Sequence, residues 1–154
     1  HYFGIMRNLN DLYLKMTAYE YLSMVGTLYN VPGKELHDRI MAFAKRFEFE
    51  EHLYKKLSTC SLGTKKKVSF SASIIHKPMF VILDEPFVGL DPLGIELVKE
   101  KLTELCRKKQ ASIIFSSHQL GEVEELEEEL VVIEEGYVKY FGSYMDLAKQ
   151  SLFA

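Results

Sequence analysis

Two adjacent acids, Asp84 and Glu85, close a run of four apolar residues and stand just before a proline. The stretch, residues 80–92, reads Phe-Val-Ile-Leu-Asp-Glu-Pro-Phe-Val-Gly-Leu-Asp-Pro. A strand that ends in paired carboxylates puts charge at the edge of a parallel sheet, where α/β proteins bind ligands. Phosphoryl transfer needs that arrangement, with one acid to hold Mg²⁺ and one to activate water. Alternation along a strand sends Asp84 and Glu85 to opposite sides, so they are free to take different tasks. Pro86 biases Glu85 toward extended geometry. Two ordinary acids on a solvated strand end would read the same way. The phosphate-cradling loop that should accompany such acids, G-x-x-x-x-G-K-[ST], occurs nowhere in the 154 residues.

Two other groups have chemical potential. Ser116-Ser117-His118 follows the apolar run Ile113-Ile114-Phe115. If that run is a parallel strand beside the first, His118 comes to the same sheet edge as Glu85. An imidazole there can stabilise a γ-phosphate and respond to its loss; the plainer reading is a histidine at the surface or the core edge. Residues 57–67, Leu-Ser-Thr-Cys-Ser-Leu-Gly-Thr-Lys-Lys-Lys, put Ser61 and Gly63 at the start of a helix. Helix N-terminal N–H groups, a serine hydroxyl and a close-approach glycine make an anion site. An ordinary N-cap followed by a solvated lysine face accounts for these residues equally well.

The elements that must position these groups are legible as patterns. Residues 2–6 read as a strand, and residues 8–15 as a loop. Thr17 and Glu20 form a capping-box pattern for a helix to about residue 29, broken by Asn30-Val-Pro-Gly33. Leu36, Ile40, Phe43, Ala44 and Phe47 share one face of the next helix. Residues 48–58 are a polar connection with a short helix. Ser61 caps a helix whose apolar face holds Val68, Ala72 and Ile75, ending at Lys77-Pro78. Residues 79–83 form a continuous apolar run, expected to be buried on both faces. Residues 93–109 are helical with Leu97, Val98, Leu102 and Leu105 as a stripe. Residues 112–116 make a second buried strand, and residues 120–128 a short acidic helix. Residues 130–133 and 137–141 are strands joined by the turn Glu134-Glu135-Gly136. Ser143 caps a last helix to about residue 150. Strand–helix–strand alternation predicts an α/β fold with parallel strands.

Composition excludes several classes. The chain is 47% apolar and 27% charged, ordinary for a globular domain with a core. A net charge of −3 gives no global drive toward nucleic acid or an anionic membrane. Cys60 and Cys106, the two cysteines, build no disulfide framework and no metal-ligand spacing, so reduced thiols are expected. No apolar stretch approaches the roughly 18 residues that span a bilayer, and no signal peptide opens the sequence. The chain begins with His1 rather than Met, as expected of a processed start or of a piece of a longer polypeptide.

Taken in order, these motifs resemble the C-terminal two-thirds of an ATP-binding cassette (ABC) ATPase, the nucleotide-binding domain of ABC transporters. Residues 80–85 resemble the Walker B motif, with Glu85 on the catalytic glutamate. Gly89-Leu90-Asp91-Pro92 matches the D-loop, and Ser116-Ser117-His118 the switch-histidine loop. Cys60-Ser61-Leu62-Gly63-Thr64 falls on the LSGGQ signature, keeping its serine and second glycine but not its first glycine or its glutamine. Residues 2–8 with Leu12-Tyr13 and Met16-Thr17 resemble the Q-loop region, with Asn8 near the family's glutamine.

The resemblance implies a partial P-loop NTPase (ABC ATPase) fold of class α/β, a helical subdomain plus a mainly parallel core sheet flanked by helices. It divides the chain into residues 1–16, the end of a core strand and the Q-loop region; 17–77, the helical subdomain with the signature; and 78–154, the core with Walker B, D-loop and switch histidine. The implied cofactors are ATP and Mg²⁺. Asp84 would hold Mg²⁺ with Asn8 as a further contact, Glu85 would polarise the attacking water, and His118 would touch the γ-phosphate. Ser61, Gly63, Thr64 and Asp91 would serve ATP across a head-to-tail dimer with a second ABC ATPase domain. A transmembrane permease is the other implied partner, contacted by residues 17–77, with Tyr13, Tyr19 and Tyr21 as interface candidates and about half of them expected in the core. No nucleic-acid partner is expected. The implied setting is cytoplasmic, peripheral on the inner face of the plasma membrane, in a transporter of bacterial exporter type. Without Walker A, the chain alone is expected to be inactive. The other readings are a degenerate cassette that docks without hydrolysing, and a non-transport ABC ATPase.

Overall fold

In the computed structural model, residues 2–6, 12–108, 110–118, 121, 126 and 129–151 are described. The chain forms two units, His1–Ser117 and His118–Ala154.

In the first unit, the Thr17–Glu20 box closes as its spacing demands. The Thr17 hydroxyl accepts from Glu20 N–H at 3.1 Å, and the Glu20 carboxylate accepts from Thr17 N–H at 2.8 Å. Helix α1, Ala18–Leu28, follows, and buries Ala18, Leu22 and Gly26. Gly26 is needed at the contact with helix α2, Gly33–Arg46: a Cβ there would lie 2.2 Å from Leu36 Cδ1. Helix α2 buries Leu36, Ile40 and Ala44, and Phe47 follows at 0% exposure, as its apolar stripe predicts. Two short 3₁₀ turns, Glu50–His52 and Leu57–Thr59, form the connection onward. It is laced to the start of α1 by Tyr19 N–H to Leu53 O and Leu57 N–H to Met16 O, both 2.9 Å.

Helix α3, Leu62–Ile74, starts at its predicted cap, where Ser61 Oγ accepts from Thr64 N–H at 3.1 Å. The expected single apolar face is too narrow a description. Every residue from Lys66 to Ile74 is buried, because α3 is surrounded by α1, the sheet and α4. Its buried serines turn inward on the helix's own carbonyls, Ser71 to Lys67 O and Ser73 to Phe70 O. Small residues here let a strand lie close, and a Cβ on Gly4 would sit 1.9 Å from Ser73 O.

The sheet has the order β1 (Phe3–Met6), β2 (Phe80–Leu83), β3 (Ser112–Phe115), all parallel, with Phe3 opposite Phe80 and Phe80 opposite Ser112. Helix α4, Pro92–Arg107, carries the chain from β2 to β3 and buries Val98, Leu102 and Leu105. The expectation of strands buried on both faces is corrected. Met6, Val81 and Leu83 are at 1% exposure, but on the other face Phe3, Ile5, Phe80, Ile82 and Ile114 are 41–70% exposed. Helices α3 and α4 cover one face, and within the first unit no described element covers the other.

Glu104 on α4 meets three cations: Arg46 Nη1 at 2.7 Å, Lys108 Nζ at 2.9 Å and Lys101 Nζ at 3.3 Å. These neighbours, Lys108 foremost, hold its carboxyl down from the ordinary 4.5 to about 2. A carboxyl with a depressed folded-state pKa stabilises the fold above its ordinary value, and that contribution fades as pH falls from about 4.5 toward 2. Urea midpoints measured from pH 6 down to pH 3 should therefore fall less steeply in Glu104→Gln than in the parent. Parallel profiles would remove Glu104 as a source of acid sensitivity.

The second unit holds an antiparallel hairpin, β4 (Leu130–Glu134) and β5 (Tyr137–Gly142). Its two-residue turn places Glu135 at φ 51° and Gly136 at φ 81°, the left-handed pair such a tight turn requires. Ser143 caps helix α5, Tyr144–Ser151, by accepting from Asp146 N–H at 3.1 Å. The expected acidic helix at 120–128 lies largely outside the described residues.

Candidate functional site

The acid pair sits where β2 stops. Asp84 and Glu85 lie beyond the last strand residue, Leu83, so strand alternation is not what separates them. The expectation that Pro86 holds Glu85 extended is also corrected, since Glu85 adopts φ 47°, in the left-handed region. Two hydrogen bonds on Glu85 accompany the departure, and a third joins Asp84. Ser116 Oγ accepts from Glu85 N–H at 3.0 Å and donates to Asp84 Oδ1 at 2.8 Å. Lys66 Nζ donates to the Glu85 carbonyl at 2.7 Å. The local preference of a pre-proline residue is overridden by contacts from β3 on one side and α3 on the other.

The expected pairing of the two strands is present, continued by Ser116 N–H to Leu83 O at 3.0 Å. Ser116 is the residue of the Ser-Ser-His motif that grips both acids, a role sequence reasoning gave to none of the three. His118 is exposed and opens the second unit.

The signature-like segment meets the loop after β2. Ser61 Oγ and Thr64 Oγ1 are 2.9 Å apart at the α3 N-terminus, so both hydroxyls stand with the first-turn N–H groups. Gly63 has a close approach, but to protein: a Cβ there would lie 3.1 Å from Gly89 O. Gly89 in turn has φ 83° and lies under Leu62, whose Cδ2 would be 2.5 Å from an added Cβ. Asp91 caps α4 by accepting from Gly94 N–H at 3.2 Å, and its Oδ1 is 3.9 Å from Lys67 Nζ. The segment around Ser61 and the loop 84–91 thus form one contiguous surface within the first unit.

The lysine run Lys65–Lys67 is not the solvated face that one reading of the sequence offered. Lys66 and Lys67 are each 8% exposed, one aimed at the end of β2 and the other at the start of α4. Burial lowers the Lys66 pKa, opposed by the charges of Asp84 and Glu85. No local signal distinguishes these lysines from surface ones; the buried serines that alternate after them are the nearest hint.

Among the described residues no group of three or more His, Cys, Asp or Glu is placed to hold a metal. A single exposed carboxylate oriented by a serine suits Mg²⁺, which keeps waters and takes its remaining ligands from substrate phosphates. Asn8 lies outside the described residues. Among the described residues Cys60 and Cys106 form no disulfide.

Comparison with known proteins places this fold in a class. The fold matches that of the ATP-binding subunit of an ABC transporter with TM-score 0.83 at 28% identity, over 97% of this chain and 62% of that one. It matches cbiO1 from Clostridium perfringens, part of the ABC transporter complex cbiONQ, with TM-score 0.76 at 26% identity over 96% and 59% of the two chains. The fold is therefore that of ABC ATPase domains, a P-loop NTPase fold, of which the chain carries about three fifths. In sequence it is homologous over most of its length to ABC transporter ATP-binding proteins. It is 36% identical over 133 residues to an uncharacterised one from Alkalihalophilus pseudofirmus, covering 86% of this chain and 49% of that protein. To NatA of Bacillus subtilis it is 34% identical over 136 residues, covering 88% and 55%. The chain spans about half the length of the curated relatives it matches. No family model matches it.

Proposed function

We propose that this chain is part of the ATP-binding and ATP-hydrolysing subunit of an ABC transporter of bacterial exporter type. The observation that carries the reading is the hydrolytic edge: Asp84 and Glu85 at the end of β2, both bonded to Ser116, with the α3 N-terminus and the 89–91 loop packed together beside them. ATP bound with Mg²⁺ supplies the γ-phosphoryl group and the charge that the metal neutralises. Asp84 would hold the metal, with Asn8 as a further contact. Glu85 would polarise the attacking water, and His118 would touch the γ-phosphate. Ser61, Gly63, Thr64 and Asp91 serve a nucleotide held by a second cassette in a head-to-tail dimer.

Residues 17–77 act as the helical subdomain that meets a transmembrane permease. Helix α1 offers a shallow, mainly apolar groove for it, lined by Tyr19, Met24 and Leu28 among others. Tyr13 is 60% exposed and Tyr19 and Tyr21 are half-buried, so none of the three is core, although half were expected to be. No helix among the described residues is long and apolar enough to cross a membrane. In this reading the permease fixes the domain at the inner face of the plasma membrane. Residues 1–16 and 78–154 make the core that carries the chemistry.

The test compares two preparations. The polypeptide that joins this chain to a phosphate-binding loop should hydrolyse ATP only with Mg²⁺, and Asp84→Asn should cut that turnover by about 10²-fold or more, the scale on which a charged active-site group acts. The 154-residue chain alone should hydrolyse none, since it holds no G-x-x-x-x-G-K-[ST] loop. Magnesium-dependent turnover by the pure chain would refute its dependence on the missing loop. Full activity of Asp84→Asn would refute the metal assignment.

A further inference from the structure

Lysine side chains are seldom buried without a reason, because removing an ammonium from water is costly. Lys66 is 8% exposed, and the partner it reaches is not a carboxylate. Its Nζ donates to the main-chain carbonyl of Glu85 at 2.7 Å, with Asp84 and Glu85 close enough to act on its charge. The bond therefore fixes the backbone of the acid, while the ammonium charge also acts on the two carboxylates.

That backbone needs fixing. Glu85 is a non-glycine residue at φ 47° and the residue before a proline, two conditions that each disfavour its conformation. Such a residue persists only where its surroundings over-determine it. Among the described residues, Ser116 Oγ holds its N–H and Lys66 holds its C=O. Helix α3 also holds the other end of the same loop, with Lys67 3.9 Å from Asp91 and Gly63 under the Gly89 carbonyl.

We propose that Lys66 is a positioning residue for ATP hydrolysis: it clamps the Glu85 carbonyl so that the carboxylate is aimed from a left-handed turn, and it ties that aim to the helix that begins at Ser61. The proposal rests on the reading of Glu85 as the residue that polarises water. Positioning residues act on the chemical step, and a displacement of about 1 Å is enough to cost about 10²-fold.

The experiment uses the complete ATPase that contains this chain and compares Lys66→Met, Lys66→Arg and Glu85→Gln by steady-state kinetics. Lys66→Met should lower kcat about 10- to 100-fold with the KM for ATP little changed. Lys66→Arg, which keeps a buried cationic donor, should recover most of the loss. Amide exchange in the 84–89 peptide of Lys66→Met should quicken while that of α1 and α2 stays at the parent rate. A helix that merely lost packing would move stability and KM and would not be rescued by Arg. If Lys66→Met does not fold, Lys66→Gln gives the same kcat-against-KM comparison. If Glu85→Gln is inactive while Lys66→Met keeps the parent kcat and exchange, the clamp is overturned and the reading of Glu85 stands. If Glu85→Gln keeps full turnover, the reading of Glu85 fails and takes the clamp with it.

Discussion

Replacing Glu85 by Gln in the complete protein should abolish steady ATP turnover while leaving ATP binding intact. A positioned general base contributes roughly 10² to 10⁴ in rate, and the amide keeps the shape of the side chain but cannot take a proton. The backbone that aims the residue would be unaltered, because Ser116 and Lys66 hold main-chain atoms, the N–H and the C=O. Nucleotide affinity measured by equilibrium binding should therefore match the parent, and the loss should fall on kcat alone. Turnover at the parent rate would sink the assignment of Glu85; lost binding with lost turnover would instead mean that the side chain supports the site's structure.

The second large effect is on stability. Phe47 is wholly buried at the end of α2, edge-on to Phe70 of α3 with ring centroids 5.4 Å apart, and tilted against Phe43 at 5.9 Å. Truncating a phenylalanine in such a place removes its transfer free energy and leaves a cavity that neighbours on two helices cannot close. Phe47→Ala should cost about 3–5 kcal/mol, read as a fall in urea midpoint with little change in slope. Because α3 carries Ser61, Gly63 and Lys66, the same substitution should also loosen the site. A cost below about 1 kcal/mol would show that the α2–α3 contact collapses around the gap.

What the sequence made legible was local chemistry. Thr17, Ser61 and Ser143 each cap the helix they were expected to cap, because a cap is a contact between residues three apart and needs no knowledge of the rest of the fold. The parallel pairing of the 80–83 and 112–115 segments was legible for a related reason: both are short apolar runs on either side of one helix. The homology was legible because several motifs stood in one order.

The failures are those of long-range contacts. Lys66 and Lys67 look solvated in a run of three lysines and are buried because α3 is enclosed by elements distant in sequence; the enclosing partners include α1 and β1. Pro86 gave a sound local preference for Glu85, and two tertiary hydrogen bonds outweighed it. Ser116 went unread as a ligand of the acid pair because its partners lie 31 and 32 residues away, a distance across which spacing carries no information.

The half-covered sheet has a consequence for how the chain behaves at high concentration. Phe3 and Phe80 stack at 5.4 Å on a face where Ile5, Ile82 and Ile114 also stand in water, and among the described residues the outer edges of β1 and β3 pair with no other strand. An exposed apolar sheet face bordered by unpaired strand edges is a surface on which like molecules stack. For the isolated chain, colloidal lifetime is then governed by crowding: dilution protects it, and each increase in concentration shortens its stay in solution.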